Sequence, residues 1–204
     1  MSFEHSRKNE FFNHESIDDY RNEYSTQLSN GLAAVDSTLL EQTAQLMRRV
    51  RREGQRVYVA GNGGSSATSD HLTCDWAKGT GSDLSSGIRA FSLTNNTALM
   101  MAIANDLGFE HVFSQQLNLY ATQGDLVVLV SASGSSPNIL KAAEVAREKS
   151  LHTVGMTGFD GGELMSMVDV CLHVPISNYG VVEDAHQALM HILTQYTYLK
   201  CQEG

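Results

Sequence analysis

Basic residues are scarce in this chain. Fourteen Lys and Arg face 23 Asp and Glu, for a formal net charge of -9. That balance argues against a broad nucleic-acid-binding surface. Cysteine occurs only as Cys74, Cys171 and Cys201, an odd and scattered set without CxxC spacing. Such usage argues for reduced thiols and a cytoplasmic setting. No apolar run approaches the roughly 18 residues needed to span a membrane. The first residues, MSFEHSRKNEFFNHES, lack the apolar core of a signal peptide. Internal repeats and low-complexity tails are also missing, which removes solenoid and linker architectures.

What is present is globular in balance, with 42% hydrophobic and 18% charged residues over 204 positions. That length predicts one domain with a substantial core. The most informative stretch is VYVAGNGGSSATSDHLTCD at 57–75. Its first four residues read as a buried strand, GNGGSS as a tight turn, and the remainder as a helix. Turn glycines let a ligand approach the backbone, and a helix N-terminus attracts anions such as phosphate. Four residues apart in that helix, His71 and Asp75 share one face. The pair reads equally as a surface contact, a proton-transfer pair or two metal ligands.

Upstream, residues 1–15, with His5 and His14, read as a loose tail. Ser16 is placed to cap a helix with Asp18 and Asp19 in its first turn. A break is expected near Asn30-Gly31, and Thr38-x-x-Glu41 resembles a capping box. Leu39, Thr43, Leu46, Met47 and Val50 then form one stripe on a helix ending at Glu53-Gly54. Arg48, Arg49, Arg51 and Arg52 near its end read as a solvated last turn or a nucleic-acid patch; the helix dipole favours the first. These helices have no obvious partner in a sheet, which predicts packing against another subunit.

Downstream, residues 78–86 (KGTGSDLSS) read as a loop and 88–93 as a second strand. Thr94-Asn95-Asn96 can cap a helix from Thr97 that ends at Asn105-Asp106, with another helix over 111–120. LVVLV at 126–130 is the clearest buried strand; it runs into SASGSS, and Pro137 opens a helix. Strands over 153–156 and 170–175 and a helix over 181–199 complete the chain. The alternation predicts an α/β fold with a parallel five-stranded sheet flanked by helices, binding ligands beyond the carboxyl ends of its strands. Ser131, Ser133, Ser135 and Ser136 place hydroxyls around one glycine at that end, a chemistry suited to a phosphate monoester without any basic residue. The last helix offers Glu183, Asp184, His186 and His191, with Glu183, Gln187 and His191 on one stripe. About 12 Å of helix axis separates Glu183 from His191. One metal takes both only through a bend, a long reach or a second subunit. His111, His152 and His173 carry no constellation and read as structural.

Together AGNGGSSATSDH at 60–71, AIANDLGFEHVFSQQ at 102–116, SASGSSPN at 131–138, TGFDGGEL at 157–164 and EDAHQALMHIL at 183–193 resemble the sedoheptulose 7-phosphate (phosphoheptose) isomerases of the sugar isomerase (SIS) superfamily. The resemblance implies a flavodoxin-like SIS domain over 55–204, preceded by a helical segment over 1–54 used in oligomerisation. It implies that Asn62, Gly63, Gly64, Ser65, Asn105, Asp106 and Glu183 contact a sugar phosphate, and that Ser131, Ala132, Ser133 and Ser136 hold its phosphate. It further implies Asp75 and His191 as the acid/base pair, a Zn2+ site at His71, Asp75, Glu183 and His191, and a homotetramer with sites between subunits. The chain departs from the family pattern in having Asp75 for a usual Glu, Glu183 for Gln, Gly79 for Arg beside Lys78, and Tyr179-Gly180-Val181-Val182 for a polar segment. Two non-catalytic readings stand beside the enzyme: a protein of the same fold that binds a replication initiator, and a sugar-phosphate sensor.

Overall fold

The computed structural model describes residues 9–83 and 85–202. The reading of residues 1–8, His5 included, lies outside the described residues. Two helices lead, α1 (Ile17–Ala34) and α2 (Ser37–Arg52), followed by β1 (Arg56–Gly61), α3 (Gly64–Gly79) and β2 (Arg89–Ser92). Then come α4 (Thr97–Leu107), a single 3-10 turn (Phe109–His111), α5 (Ser114–Tyr120), β3 (Leu126–Ser131) and α6 (Pro137–Glu148). The chain closes with β4 (His152–Thr157), a second 3-10 turn (Glu163–Ser166), β5 (Val170–His173) and α7 (Tyr179–Gln202). All strand pairings are parallel, in the order β2-β1-β3-β4-β5.

Central β3 is buried at all six positions, as its unbroken apolar run requires in a sheet covered on both faces. Alternate residues point to opposite layers. Val57, Val59, Val128 and Val130 pack under α2, α3 and α7, whereas Tyr58, Ala60, Val127 and Leu129 pack under α5 and α6. Strand order reverses between β1 and β3, so the glycine loop and the serine loop emerge side by side at the switch point, where open α/β sheets bind ligands.

Several local expectations are corrected. Residues 9–12 are tied down: Glu10 N–H donates to the Ser177 carbonyl, Tyr179 N–H donates to Asn9 Oδ1, and Phe12 packs edge-on against Tyr20. Gly31 does not break α1. It is buried there, and an added Cβ would stand 2.9 Å from Val174 Cγ1, so the glycine serves close packing. Asp36, not Thr38, caps α2, accepting from Thr38 N–H at 2.7 Å. The α2 stripe is not left over for a second copy, since Met47 and Val50 are buried in the same core as the sheet. The arginine cluster is committed: Arg48 pairs with Glu41 at 3.1 Å, Arg49 with Glu53 at 3.2 Å, and Arg51 Nε donates to the Ser86 carbonyl at 2.6 Å. No helix of the described residues is long and apolar enough to cross a membrane.

Candidate active site

The serine loop is braced internally, with Ser135 N–H donating to Ser133 Oγ at 3.4 Å and Ser135 Oγ donating to the Ser133 carbonyl at 3.2 Å. Gly134 takes φ +61 and donates its N–H to the Ser131 carbonyl, which turns the chain sharply after β3. Ser136 sits at the N-cap of α6, yet its side chain makes no capping bond and it lines the adjoining pocket. The TGFDGG segment fastens this loop from behind. Leu164 N–H donates to the Gly134 carbonyl at 2.9 Å, and Gly162 lies so close to Ser133 and Gly134 that a Cβ would strike their backbone.

Asn62, at the start of the glycine loop, and Asn138, in the first turn of α6, exchange amide hydrogen bonds of 2.9 and 2.8 Å. This clasp joins the two loops. Between them lies a pocket of about 130 Å³ lined by Asn62, Ser65, Ser131, Ala132, Ser133 and Ser136, with Tyr179 and Glu183 of α7 on its far wall. The N-terminal ends of three helices, α3, α6 and α7, meet at this pocket, and their free N–H groups give it a partial positive polarity facing the Glu183 carboxyl. Gly64 admits Glu183: a Cβ at position 64 would run into the carboxylate. Burial, and then the charge of Asp184, push the Glu183 carboxyl above its ordinary range.

Helices α3 and α7 run in the same direction. Gly64 meets Glu183 near their N-terminal ends, and Gly79 meets Thr194 further along. Between these points His191 Nδ1 lies 3.0 Å from Asp75 Oδ2, and His71 Nε2 lies 3.5 Å from Asp75 Oδ1. The two imidazoles stand edge to face with centroids 5.0 Å apart. Gln187 donates its amide N–H to His71 Nδ1 at 2.6 Å and comes within 3.5 Å of His191 Nε2. Ligand atoms of His71, Asp75 and His191 all lie within 4.8 Å of one another. Two imidazoles and a carboxylate are a donor set that would suit a divalent ion such as zinc.

The sequence-derived site is therefore assembled in part. Glycine loop, serine loop and Glu183 share one pocket, and His71, Asp75 and His191 form a second group along the same helix pair. Glu183 does not join that group. A straight α7 keeps it about 12 Å from His191 along the axis, and it lines the pocket between the glycine and serine loops instead. Asn105 and Asp106 are exposed in the last turn of α4, bonded to each other at 2.8 Å, and do not line the pocket. Asn138, Tyr179 and Gln187 are the residues that sequence reasoning did not place in the site. The i, i+4 spacing of Gln187 and His191 was visible; the Asn62–Asn138 contact, across 76 positions, had no local signal.

The SIS domain family profile matches residues 19–158. Phosphoheptose isomerase from Aneurinibacillus thermoaerophilus is 36% identical over 155 residues, covering 76% of this chain and 78% of the relative. The enzyme of that name from Geotalea daltonii is 38% identical over 167 residues, covering 82% of each chain. A solved phosphoheptose isomerase from Neisseria gonorrhoeae superposes with a TM-score of 0.81 at 29% identity, over 89% of this chain and 96% of its own. The chain belongs to the SIS domain family and, within it, groups with the phosphoheptose isomerases, so it is an isomerase by descent.

Proposed function

We propose that the protein interconverts a ketose and an aldose phosphate, with sedoheptulose 7-phosphate as the ketose. The observation that carries this reading is the position of two polar groups on one helix pair. A phosphate-sized pocket lies at the N-terminal ends of α3 and α7, and a His–Asp–His group lies further along the same helices. A sugar phosphate anchored in the pocket would lie along α7, past Gln187, with its carbonyl end at Asp75 and His191. There a proton leaves C1 as the C–H electron pair forms the C1=C2 bond of an enediol. The carbonyl oxygen takes a proton, the O1 hydroxyl loses one, and C2 is reprotonated. Nothing is oxidised or reduced overall. Asp75 and His191 are suited to these transfers because each accepts and returns a proton. Asp75 also holds the His191 ring through Nδ1, leaving Nε2 toward Gln187.

A zinc ion held by His71, Asp75 and His191 would polarise the sugar carbonyl. We infer a homotetramer with sites between subunits, supported by α4. That helix has no buried residue, leaves Met101 68% and Leu107 53% exposed, and carries Asn105 and Asp106. Cytoplasmic action is in keeping with three free cysteines. Incubation with sedoheptulose 7-phosphate in D2O, followed by NMR, tests the reaction. Deuterium at the exchanging carbon together with aldose formation is expected; neither would appear if the protein were a sensor or a binding protein.

A further inference from the structure

Beyond the His–Asp–His group, on the side away from the serine loop, a groove of about 540 Å³ opens between α3 and α7. Asp75 and His191 form its inner end, Lys78, Gln195 and Tyr198 line it, and Gly79 forms part of its wall beside Thr194. Along the helix pair the order is therefore phosphate pocket, reacting group, groove. Neither cavity is lined by any other lysine or arginine. Lys78 is three residues after Asp75, a spacing that puts both on one helix face. The expected ion pair does not form, because the two Asp75 oxygens face His71 and His191. Among the described residues the Lys78 ammonium has no carboxylate partner.

Resting on the isomerase reading, we propose that Lys78 is a catalytic residue of this chain that holds the oxyanion of the enediolate. When C1 loses its proton, the carbonyl electron pair moves onto the C2 oxygen and leaves one negative charge there. The Lys78 ammonium, on the wall of the groove that Asp75 and His191 also line, donates a hydrogen bond to that oxygen and keeps its own proton. The negative charge moves from the C2 oxygen to the C1 oxygen as O2 takes up a proton and the O1 hydroxyl gives one up. A lysine on a flexible stem can follow it, which a rigid guanidinium fork does less readily. The phosphate is held elsewhere, by hydroxyls and backbone N–H groups, so Lys78 acts on the transition state more than on ground-state binding.

The test uses Lys78→Gln and Lys78→Arg in the full chain; the side chain is exposed, so folding is not at issue. In Lys78→Gln, kcat and solvent deuterium incorporation should fall about ten- to a hundredfold, while KM changes by less than about twofold. Lys78→Arg should restore part of the loss. A phosphorylated aldonohydroxamate, which mimics the enediolate, should bind Lys78→Gln more weakly by a similar factor, whereas inorganic phosphate should bind both forms alike. Unchanged kcat in Lys78→Gln overturns the proposal. So does weaker inorganic phosphate binding, which would place the phosphate in the groove. If the wild type fails to turn over sedoheptulose 7-phosphate, the isomerase reading is at fault. Hydroxamate affinity then still decides whether Lys78 meets an oxyanion.

Discussion

Asn62 and Asn138 bind each other through both halves of their amides, at 2.9 and 2.8 Å, and so join the glycine loop, whose Asn62 lines the pocket, to the first turn of α6. Asn138 is 2% exposed, and the bonds span the point where strand order reverses. Replacing Asn138 by Ala leaves the Asn62 amide with a donor and an acceptor unmatched, at a cost of about 1–3 kcal/mol. For a chain of this size the melting temperature should fall by roughly 3–10 °C. A clasp predicts more than lost stability. The Asn62→Ala, Asn138→Ala double variant should be less destabilised than the sum of the singles, by about 0.5 kcal/mol or more. Strict additivity in thermal or urea unfolding would mean that the two amides act independently.

Ser136 makes the second prediction. Its hydroxyl lines the pocket but does not cap α6. Ser136→Ala should therefore leave stability nearly unchanged and weaken sugar-phosphate binding. One hydrogen bond to a charged group is worth about 1.5–3 kcal/mol, or roughly ten- to a hundredfold in affinity. Calorimetry that finds equal affinity in the two proteins would move the phosphate out of this loop.

Most of the fold was legible because its strands are short apolar runs bounded by glycine, serine and aspartate. Buried parallel strands announce themselves in that way, and LVVLV at 126–130 is the clearest instance. The serine loop and the His71–Asp75 spacing were equally local. Asn138 and Lys78 were harder. Asn138 acts through Asn62, 76 positions away, and Lys78 gains meaning only from the groove that α7 completes. Gly31 misled for a related reason: a helical glycine at a close approach looks like a helix break until its neighbour Val174 is known. The α2 stripe was assigned to a partner because periodicity gives the apolar face and not the surface that covers it.

His186 is fully buried, donates from Nε2 to the Thr157 carbonyl at 3.1 Å, and has no partner at Nδ1. Burial pushes its pKa down to about 4; the Thr157 carbonyl opposes that shift, and His173 adds slightly to it. An unfolded histidine titrates near about 6.5. Between these values the unfolded chain binds the extra proton, so stability falls as pH drops from about 6.5 and stops responding to this group below about 4. The loss should approach roughly 3 kcal/mol across that window. His186→Gln, which keeps a donor for Thr157, should flatten the dependence of the urea midpoint on pH between 7 and 5. An equally steep dependence in the variant would assign the effect to other groups.

The last prediction concerns the shortened acid. His191→Ala and Asp75→Asn should both abolish solvent deuterium incorporation while sugar phosphate still binds, because the serine-loop pocket proposed for the phosphate is lined by neither residue. Full activity in both variants would end the acid/base assignment. Asp75→Glu then separates two accounts of why this chain carries Asp. Its carboxylate already sits 3.0 Å from His191 and 3.5 Å from His71. An added methylene advances it by about 1.5 Å into that space, and displacements near 1 Å can cost roughly a hundredfold in rate. If Asp75 is fitted to the two imidazoles, Glu should lower zinc affinity and turnover together, since ligand distances tolerate only about 0.2 Å. Zinc binding by calorimetry on the metal-free protein reads the first effect without reference to activity. If the short side chain is instead a defect in reach toward the sugar, Glu should raise kcat on sedoheptulose 7-phosphate with zinc affinity unchanged. The observed contacts favour the fitted site, so a gain in kcat at unchanged zinc affinity is the result that would overturn this reading.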